Sequence, residues 1–354
     1  MSGAEVLIVE PTASGGLAAH VRDEIAALTS AGVGVERSTA VIGPRPAPRA
    51  DLRAVRTLLT SLRGSGAPST VHAHGLRAGA LTALAARFMR RSERPRLVVT
   101  LHNRTVGTLS ALAIGLGLAL AIARTADAVL AVSPDLLASQ RRLGARDAAL
   151  AVVPAAPPRQ AGSAELAAAR TLWPRDDAVL RCVTLARLAP QKGLDVLLDA
   201  VAIAESRRPG GIALVIAGDG PLGARLRARI EEERLPVSLV GRRDDVGALL
   251  AVSQAAVSAA AWEGQPVWLQ EALHAGCPVI ATDAGGTSAV TGSAAMLVPV
   301  GDAPALAAAL LAVQDERVRS RLARASAERA AQLPDRDDMA TQLRSVLAPR
   351  GIHW

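Results

Sequence analysis

The chain has 354 residues, of which 50% are hydrophobic and 20% charged, so it can bury a large core and is neither a disordered nor a collagen-like polymer. Its formal charge is +8, but aromatic residues make up 1%, Tyr is absent, and the arginines form no run longer than two. Stacking platforms for bases are therefore nearly missing, no nucleic-acid partner is expected, and the basic surface suits an anionic membrane better.

At roughly 150 residues per domain, two domains are expected. The N-terminus runs directly into a strand, with no signal-peptide pattern. In the first half, strands are predicted at Glu5–Val9, Thr70–Ala73, Leu97–Leu101, Ala128–Val132 and Ala149–Val153, with helices between them such as Leu17–Leu28. Residues 106–123 carry no charge. A buried helix is the favoured reading of this stretch, and a helix lying on a membrane surface is the alternative. Pro154-Ala-Ala-Pro-Pro then interrupts regular structure near the midpoint. A second series follows, with strands at Val179–Leu185, Ala213–Ala217, Ser238–Val240, Ala256–Ala259, Val279–Ala281 and Met296–Val298. From Pro334 onward a helix carries Met339, Leu343 and Val346 on one face.

Such alternation predicts an α/β chain of two Rossmann-like, doubly wound parallel-sheet domains facing across a cleft. The expected division is 1–157, 158–335, and a terminal helix over 336–354 that returns to the first domain. Cys182 and Cys277 lie in apolar strands and offer neither a disulfide framework nor metal spacing, which suits a reducing cytoplasm.

Chemistry is expected at the carboxyl ends of the strands. Gly15-Gly16 opens a helix after the first strand, where backbone amides attract a phosphate. Glu36, 20 positions beyond Gly16, resembles the ribose-binding acid of a nicotinamide site only weakly, because the G-x-G-x-x-G pattern is missing. His72 and His74 end one strand and His102-Asn103 another. Three histidines could ligate zinc, yet no Cys or carboxylate completes such a site locally, so His102 is expected to contact a ligand and His72 to pack.

A single lysine, Lys192, stands among 40 basic side chains, and Asn103 is the one asparagine. In a composition that replaces Lys by Arg wherever either will serve, both positions read as chemical requirements. Arg187 and Lys192 lie five apart across a strand-to-helix turn and can converge on a diphosphate. Gly218 and Gly220 end the next strand and permit close ligand approach. The most specific pattern is Trp262-Glu263-Gly264-Gln265-Pro266 followed by Glu271, then Gly285-Gly286. If Pro266 starts a helix, Glu263 sits at its lip and Glu271 inside it, about 12 Å apart for eight helical residues. That span suits a sugar at one end and a ribose at the other.

These residues, in this order over essentially the whole chain, resemble the retaining glycosyltransferases of the GT-B fold, specifically family four (group 1). The resemblance implies that Arg187 and Lys192 bind the diphosphate of a nucleotide-sugar donor, that Glu263 binds its sugar, with Gly264 and Gln265 beside it, and that Glu271 binds its ribose. It also implies that Gly15, Gly16 and His102 approach the reaction centre from the first domain. No metal and no separate cofactor are expected. The implied activity is metal-independent hexose transfer with retention onto a sugar, lipid-linked or cell-envelope glycan acceptor, at the inner face of the plasma membrane. Three departures from the family pattern, Ala155, Gln265 and Ala289, motivate an alternative, a catalytically silent nucleotide-sugar-binding scaffold. A sugar-nucleotide epimerase is a further option.

Overall fold

The computed structural model describes residues 5–12, 16–43, 45–63, 66–105 and 107–349. Gly15 and Val106 lie outside these residues. The chain divides into two compact units, Met1–Val153 with Pro334–Trp354, and Pro154–Leu333.

The first unit is built on six strands: β1 (Val6–Val9), β2 (Val35–Arg37), β3 (Thr70–His74), β4 (Arg96–Leu101), β5 (Ala128–Ala131) and β6 (Ala148–Leu150). All pair in parallel, in the order β2-β1-β3-β4-β5-β6. Parallel strands need crossovers, and apolar runs such as Val6-Leu-Ile-Val and Leu97-Val-Val are buried on both faces as that topology requires. Strand β2 is the element that sequence reading misses. It is a three-residue edge strand, Val35-Glu36-Arg37, with two exposed polar side chains, too short and too polar to show a period. Glu36 is an exposed residue of this strand.

The second unit holds β7 (Leu180–Leu185), β8 (Ile212–Ala217), β9 (Val237–Leu239), β10 (Ala255–Ser258), β11 (Val279–Thr282) and β12 (Ala295–Val298). They too are parallel, ordered β12-β11-β10-β7-β8-β9. Leucines and valines of the helices Leu194–Arg207 and Ala303–Ala312 cover one face. The other is covered by Trp173, Leu249, Leu269, Leu273 and their neighbours. Both cysteines are buried and unpaired here, and burial raises both thiols, Cys277 to about 12.

The terminal helix Arg336–Leu347 belongs to the first unit. Asp335 caps it, accepting from the amides of Asp337 and Asp338, so the acids of Asp335-Arg336-Asp337 serve the helix start. Its buried stripe is Met339, Leu343 and Leu347, with Leu347 in place of the expected Val346. Thr70 Oγ1 donates to the Leu347 carbonyl and Arg96 Nε to that of Val346, both at 2.9 Å.

The uncharged stretch forms the helix Leu109–Thr125, and it is not buried. Only Gly115, Ile122 and Ala123 are shielded, while Leu109 is 86%, Leu116 58% and Ile114 52% exposed. The expectation of a core helix is therefore wrong. Composition reports how apolar a segment is, but only the neighbouring elements decide whether anything covers it. Among the described residues no helix is long and apolar enough to cross a membrane.

Candidate active site

In each sheet one place exists where the strand order reverses, and the loops leaving the two strands there diverge to open a crevice. In the second unit this switch lies between β7 and β10. The loops that follow these two strands hold Arg187, Lys192 and Glu263.

Buried threonines tie the loops down. Thr184 Oγ1 donates to the Val257 carbonyl at 2.7 Å and Thr282 Oγ1 to that of Ala260 at 2.6 Å. The Ala261 amide donates to the Gln191 carbonyl at 2.9 Å. Gly193 follows the short 3-10 turn Pro190–Lys192 in a left-handed conformation, φ 61°. A Cβ there would lie 1.9 Å from the Ala259 carbonyl oxygen, so only glycine allows the two loops this close. As a result Lys192 Nζ meets Glu263 Oε1 at 2.6 Å, with the two side chains 21% and 11% exposed. An ion pair this shielded holds both groups in one geometry, and removing either leaves a partly buried charge uncompensated.

Gly285 plays the same part on the other side of Glu263. Its φ is 61°, and a Cβ would sit 2.1 Å from the Glu263 carbonyl oxygen, which also accepts from the Gly286 amide at 3.0 Å. The roles of Gly218 and Gly220 differ from a simple opening for ligand. Cβ atoms on them would lie 1.9 Å from the Ala186 and 2.5 Å from the Leu188 carbonyl oxygens. They are needed for the close crossing that holds the loop of Arg187. Arg187 itself is exposed, and its guanidinium has no partner among the described residues.

Pro266 caps the helix Val267–His274 from outside. Glu263 precedes that cap by three non-helical residues, so the helical span of about 12 Å to Glu271 does not apply. The helix starts one residue later than the proline suggests, because Pro266 lies at ψ 101°, outside helical geometry. Glu271 is half-buried on this helix, and burial raises its carboxyl pKa. Gly264 and Gln265 share the loop between Glu263 and Pro266, both half-buried.

The first unit has its own constellation. Gly16 opens the helix Gly16–Ser30 after β1. His74 ends β3, and His102 follows β4. His102, Asn103, Arg104, Gly75 and Thr12 line a cavity of about 550 Å³ that the helix Leu109–Thr125 borders through Ile114 and Leu118. Behind it lies a feature that sequence reading misses, the fully buried Glu24. Its Oε1 is paired with His72 Nδ1, and its Oε2 lies 3.4 Å from His74 Nε2 and 3.8 Å from His20 Nε2. The signal was present, since Glu24 falls three residues after Val21 and four before Leu28, on the stripe that faces the sheet. Burial alone would raise this carboxyl, but His72 and His74 outweigh it and hold it well below the ordinary value. Burial drives the other way on the rings, pushing His20 to about 4 and His102 well down.

Residues 2–156 match the glycosyl transferase 4-like domain, and residues 180–316 match the glycosyl transferases group 1. The amylovoran biosynthesis glycosyltransferase AmsK of Erwinia amylovora is 34% identical over 145 residues, 37% of this chain and 35% of that protein. A phosphatidyl-myo-inositol mannosyltransferase of Mycobacterium leprae is 34% identical over 151 residues, 39% of this chain and 38% of that protein. The chain thus spans little more than a third of the length of the relatives it matches. Among solved structures, Anabaena HepE in complex with UDP and glucose has a TM-score of 0.74 at 20% identity, covering 97% of this chain and 99% of that one. Sucrose-phosphate synthase from Thermosynechococcus elongatus has a TM-score of 0.76 at 20% identity, over 97% and 98%. Both of these likenesses concern the fold, the GT-B pairing of Rossmann-like units. With one family matched in each unit, the chain belongs to the group 1 glycosyl transferases.

Proposed function

We propose that the protein transfers a hexose from a nucleotide diphosphate sugar to a lipid-linked or cell-envelope glycan acceptor, with retention of configuration. The observation that carries this reading is the shielded Lys192–Glu263 pair at the switch point of the second sheet. A lysine held there supplies a fixed positive charge for a departing diphosphate, and the exposed Arg187 guanidinium can close on the same anion as a fork. No metal is required at the diphosphate if these two cations and the backbone amides carry its charge. Glu263 is then the acceptor for sugar hydroxyls and Glu271, eight residues on, for those of the ribose. Loading the donor would draw Lys192 toward phosphate and free one Glu263 oxygen for the sugar. The complexes of HepE with UDP and with UDP-glucose support a nucleotide-sugar donor.

On the acceptor side, Gly15, Gly16 and His102 are the groups to approach the reaction centre, with the cavity beside His102 as the acceptor pocket. The exposed leucines of the helix Leu109–Thr125 and the net charge of +8 support a peripheral position on the cytoplasmic face of an anionic membrane. Departing phosphate would help deprotonate the acceptor in a front-face substitution.

A thermal-shift screen over UDP-, GDP- and ADP-sugars, followed by a transfer assay, tests the reading. One donor should stabilise the chain by mass action, and Lys192→Ala and Glu263→Ala should each lower transfer about 10²- to 10³-fold. Binding without turnover over a broad acceptor panel would instead identify a silent scaffold, and a changed sugar without acceptor an epimerase.

A further inference from the structure

The positive charge of the chain is concentrated in one stretch. Residues 75–126 hold eight arginines and one acid, Glu93, a net of +7 out of the formal +8 of all 354 residues. The same stretch supplies seven of the eleven large hydrophobic side chains that the described residues leave exposed. Charge and apolar surface therefore coincide on two helices, Leu76–Arg87 and Leu109–Thr125. The first packs on β3 and β4 and lies against the second. A Cβ on Gly79 would lie 2.7 Å from Val99 Cγ1 and 3.0 Å from Ile122 Cδ1, so glycine lets the two helices close into one layer.

Phe88 is the chain's one phenylalanine. It stands 61% exposed just past the end of the helix Leu76–Arg87, four residues from the exposed Leu84 and so on the same face. The backbone that carries it is fixed from behind. Arg63 Nη2 donates to the Phe88 carbonyl at 2.6 Å, and Arg94 Nη2 donates to the carbonyls of Arg87 and Met89 at 3.3 and 3.2 Å. Guanidiniums thus satisfy carbonyls at the helix end, the Met89 side chain is buried, and Phe88 is held outward. Arg87, Arg90 and Arg91 are exposed around it, and Glu93 lies 3.9 Å from Arg90.

The helix Leu109–Thr125 continues this face. Leu112, Leu116 and Leu120 follow one another at four-residue spacing on its exposed side. The exposed Arg104 and Arg124 stand before the helix and in its last turn. Apolar side chains ringed by arginines, with a single acid among them, complement a surface that is negative outside and apolar within, as an anionic bilayer is. Leucine and phenylalanine reach the acyl boundary while the long arginine side chains return to the phosphates. A second copy of the chain would set arginines against arginines, since a two-fold contact brings one patch onto itself.

We propose that the protein docks on an anionic membrane through the whole layer of these two helices, with Phe88, Arg87, Arg90 and Arg91 as an attachment point separate from the leucines of Leu109–Thr125. The inference rests on the peripheral membrane reading given under Proposed function and adds which face meets lipid. Two attachment points fix an orientation, whereas one helix alone would leave the unit free to roll about its axis. Ile114 is exposed on the docking helix and also lines the cavity of the first unit, so this orientation sets that cavity beside the lipid headgroups.

The test is flotation of the full chain with phosphatidylcholine vesicles, prepared with and without phosphatidylglycerol, at low and high salt. Wild type should bind the vesicles that contain phosphatidylglycerol, and salt should weaken the binding. Phe88→Ser should lower it about 10-fold. Arg90→Gln combined with Arg91→Gln should lower it about 10- to 30-fold and flatten the salt dependence. All three positions are exposed, so both variants should keep the wild-type unfolding midpoint and the same stabilisation by donor. If wild type floats with anionic vesicles and both variants float equally well, the second attachment point is overturned while the membrane reading stands. A wild-type chain that binds neither vesicle overturns both. A concentration-dependent dimer in light scattering that Phe88→Ser dissolves would give the face to a second copy and overturn the proposal.

Discussion

The two units carry sheets of the same size and the same parallel pairing, yet they handle buried charge and apolar surface differently. The second unit closes its core on both faces of its sheet. Its polar centre is one lysine–glutamate pair, locked by glycines that let backbones nearly touch. The first unit places the one carboxylate that is fully buried among its described residues, Glu24, among imidazoles. It also displays nine of the eleven large hydrophobic side chains that the described residues leave exposed. Rigid electrostatics suit a donor of fixed shape and charge. Exposed leucines and titratable rings suit a partner that is apolar on one side and reactive on the other.

The comparison breaks most visibly at the ion pair. Lys192→Ala or Glu263→Ala should lower the transfer rate about 10²- to 10³-fold, the loss typical of a preorganised group that stabilises developing charge. Lys192→Arg should recover little of it, since a planar fork cannot occupy the place of a point charge bonded at 2.6 Å. Steady-state kinetics of the three variants decide this, and an unimpaired arginine variant would contradict the reading of the sole lysine as a requirement.

Gly193→Ala comes next. The added methyl would overlap the Ala259 carbonyl in a left-handed backbone, so the second unit should lose about 3 kcal/mol. Hydrogen exchange should show weakened protection over Leu194–Arg207 and Ala255–Ser258, with β1 and β3 unchanged. Protection lost equally in both sheets would mean that the units do not answer separately.

Leu116→Asp probes the opposite face of the contrast. Leu116 is 58% exposed, so stability should move by no more than about 0.5 kcal/mol. Partition onto anionic liposomes should fall about 10- to 100-fold, the worth of one buried leucine plus an unfavourable charge. Equal flotation of both proteins would remove the membrane from the account.

The smallest effect is expected at Glu271. Burial raises its carboxyl, so the folded state favours the neutral form. Its contribution to stability is complete below the ordinary value and is lost as pH climbs through the higher folded one. Glu271→Gln should therefore raise the midpoint of thermal unfolding slightly at neutral pH while weakening the donor about 10-fold, through loss of a charged acceptor. A variant that is both less stable and unchanged in donor binding would assign Glu271 to packing.

Much of this molecule was legible before folding. The apolar runs that became eleven of the twelve strands carry their own period and bounding turns. Arg187, Lys192, Glu263 and Gly285-Gly286 stand out because they sit where such strands end. The two misreadings share a cause. Glu24 is separated from its histidines by a whole crossover, and helix Leu109–Thr125 is apolar without a neighbour to cover it, so neither fact is local.

Sequence by itself determined the α/β alternation, the two sheets and the family, because local periodicity and turn chemistry act within a few residues. Only the tertiary structure decided which lysine meets which glutamate, which glycines are obligatory, and that a buried carboxylate and three imidazoles share one pocket. Those outcomes depend on loops and helices brought together from distant parts of the chain, so closely that a Cβ on Gly193 or Gly285 would lie 1.9 or 2.1 Å from a carbonyl oxygen, a constraint that composition does not reveal.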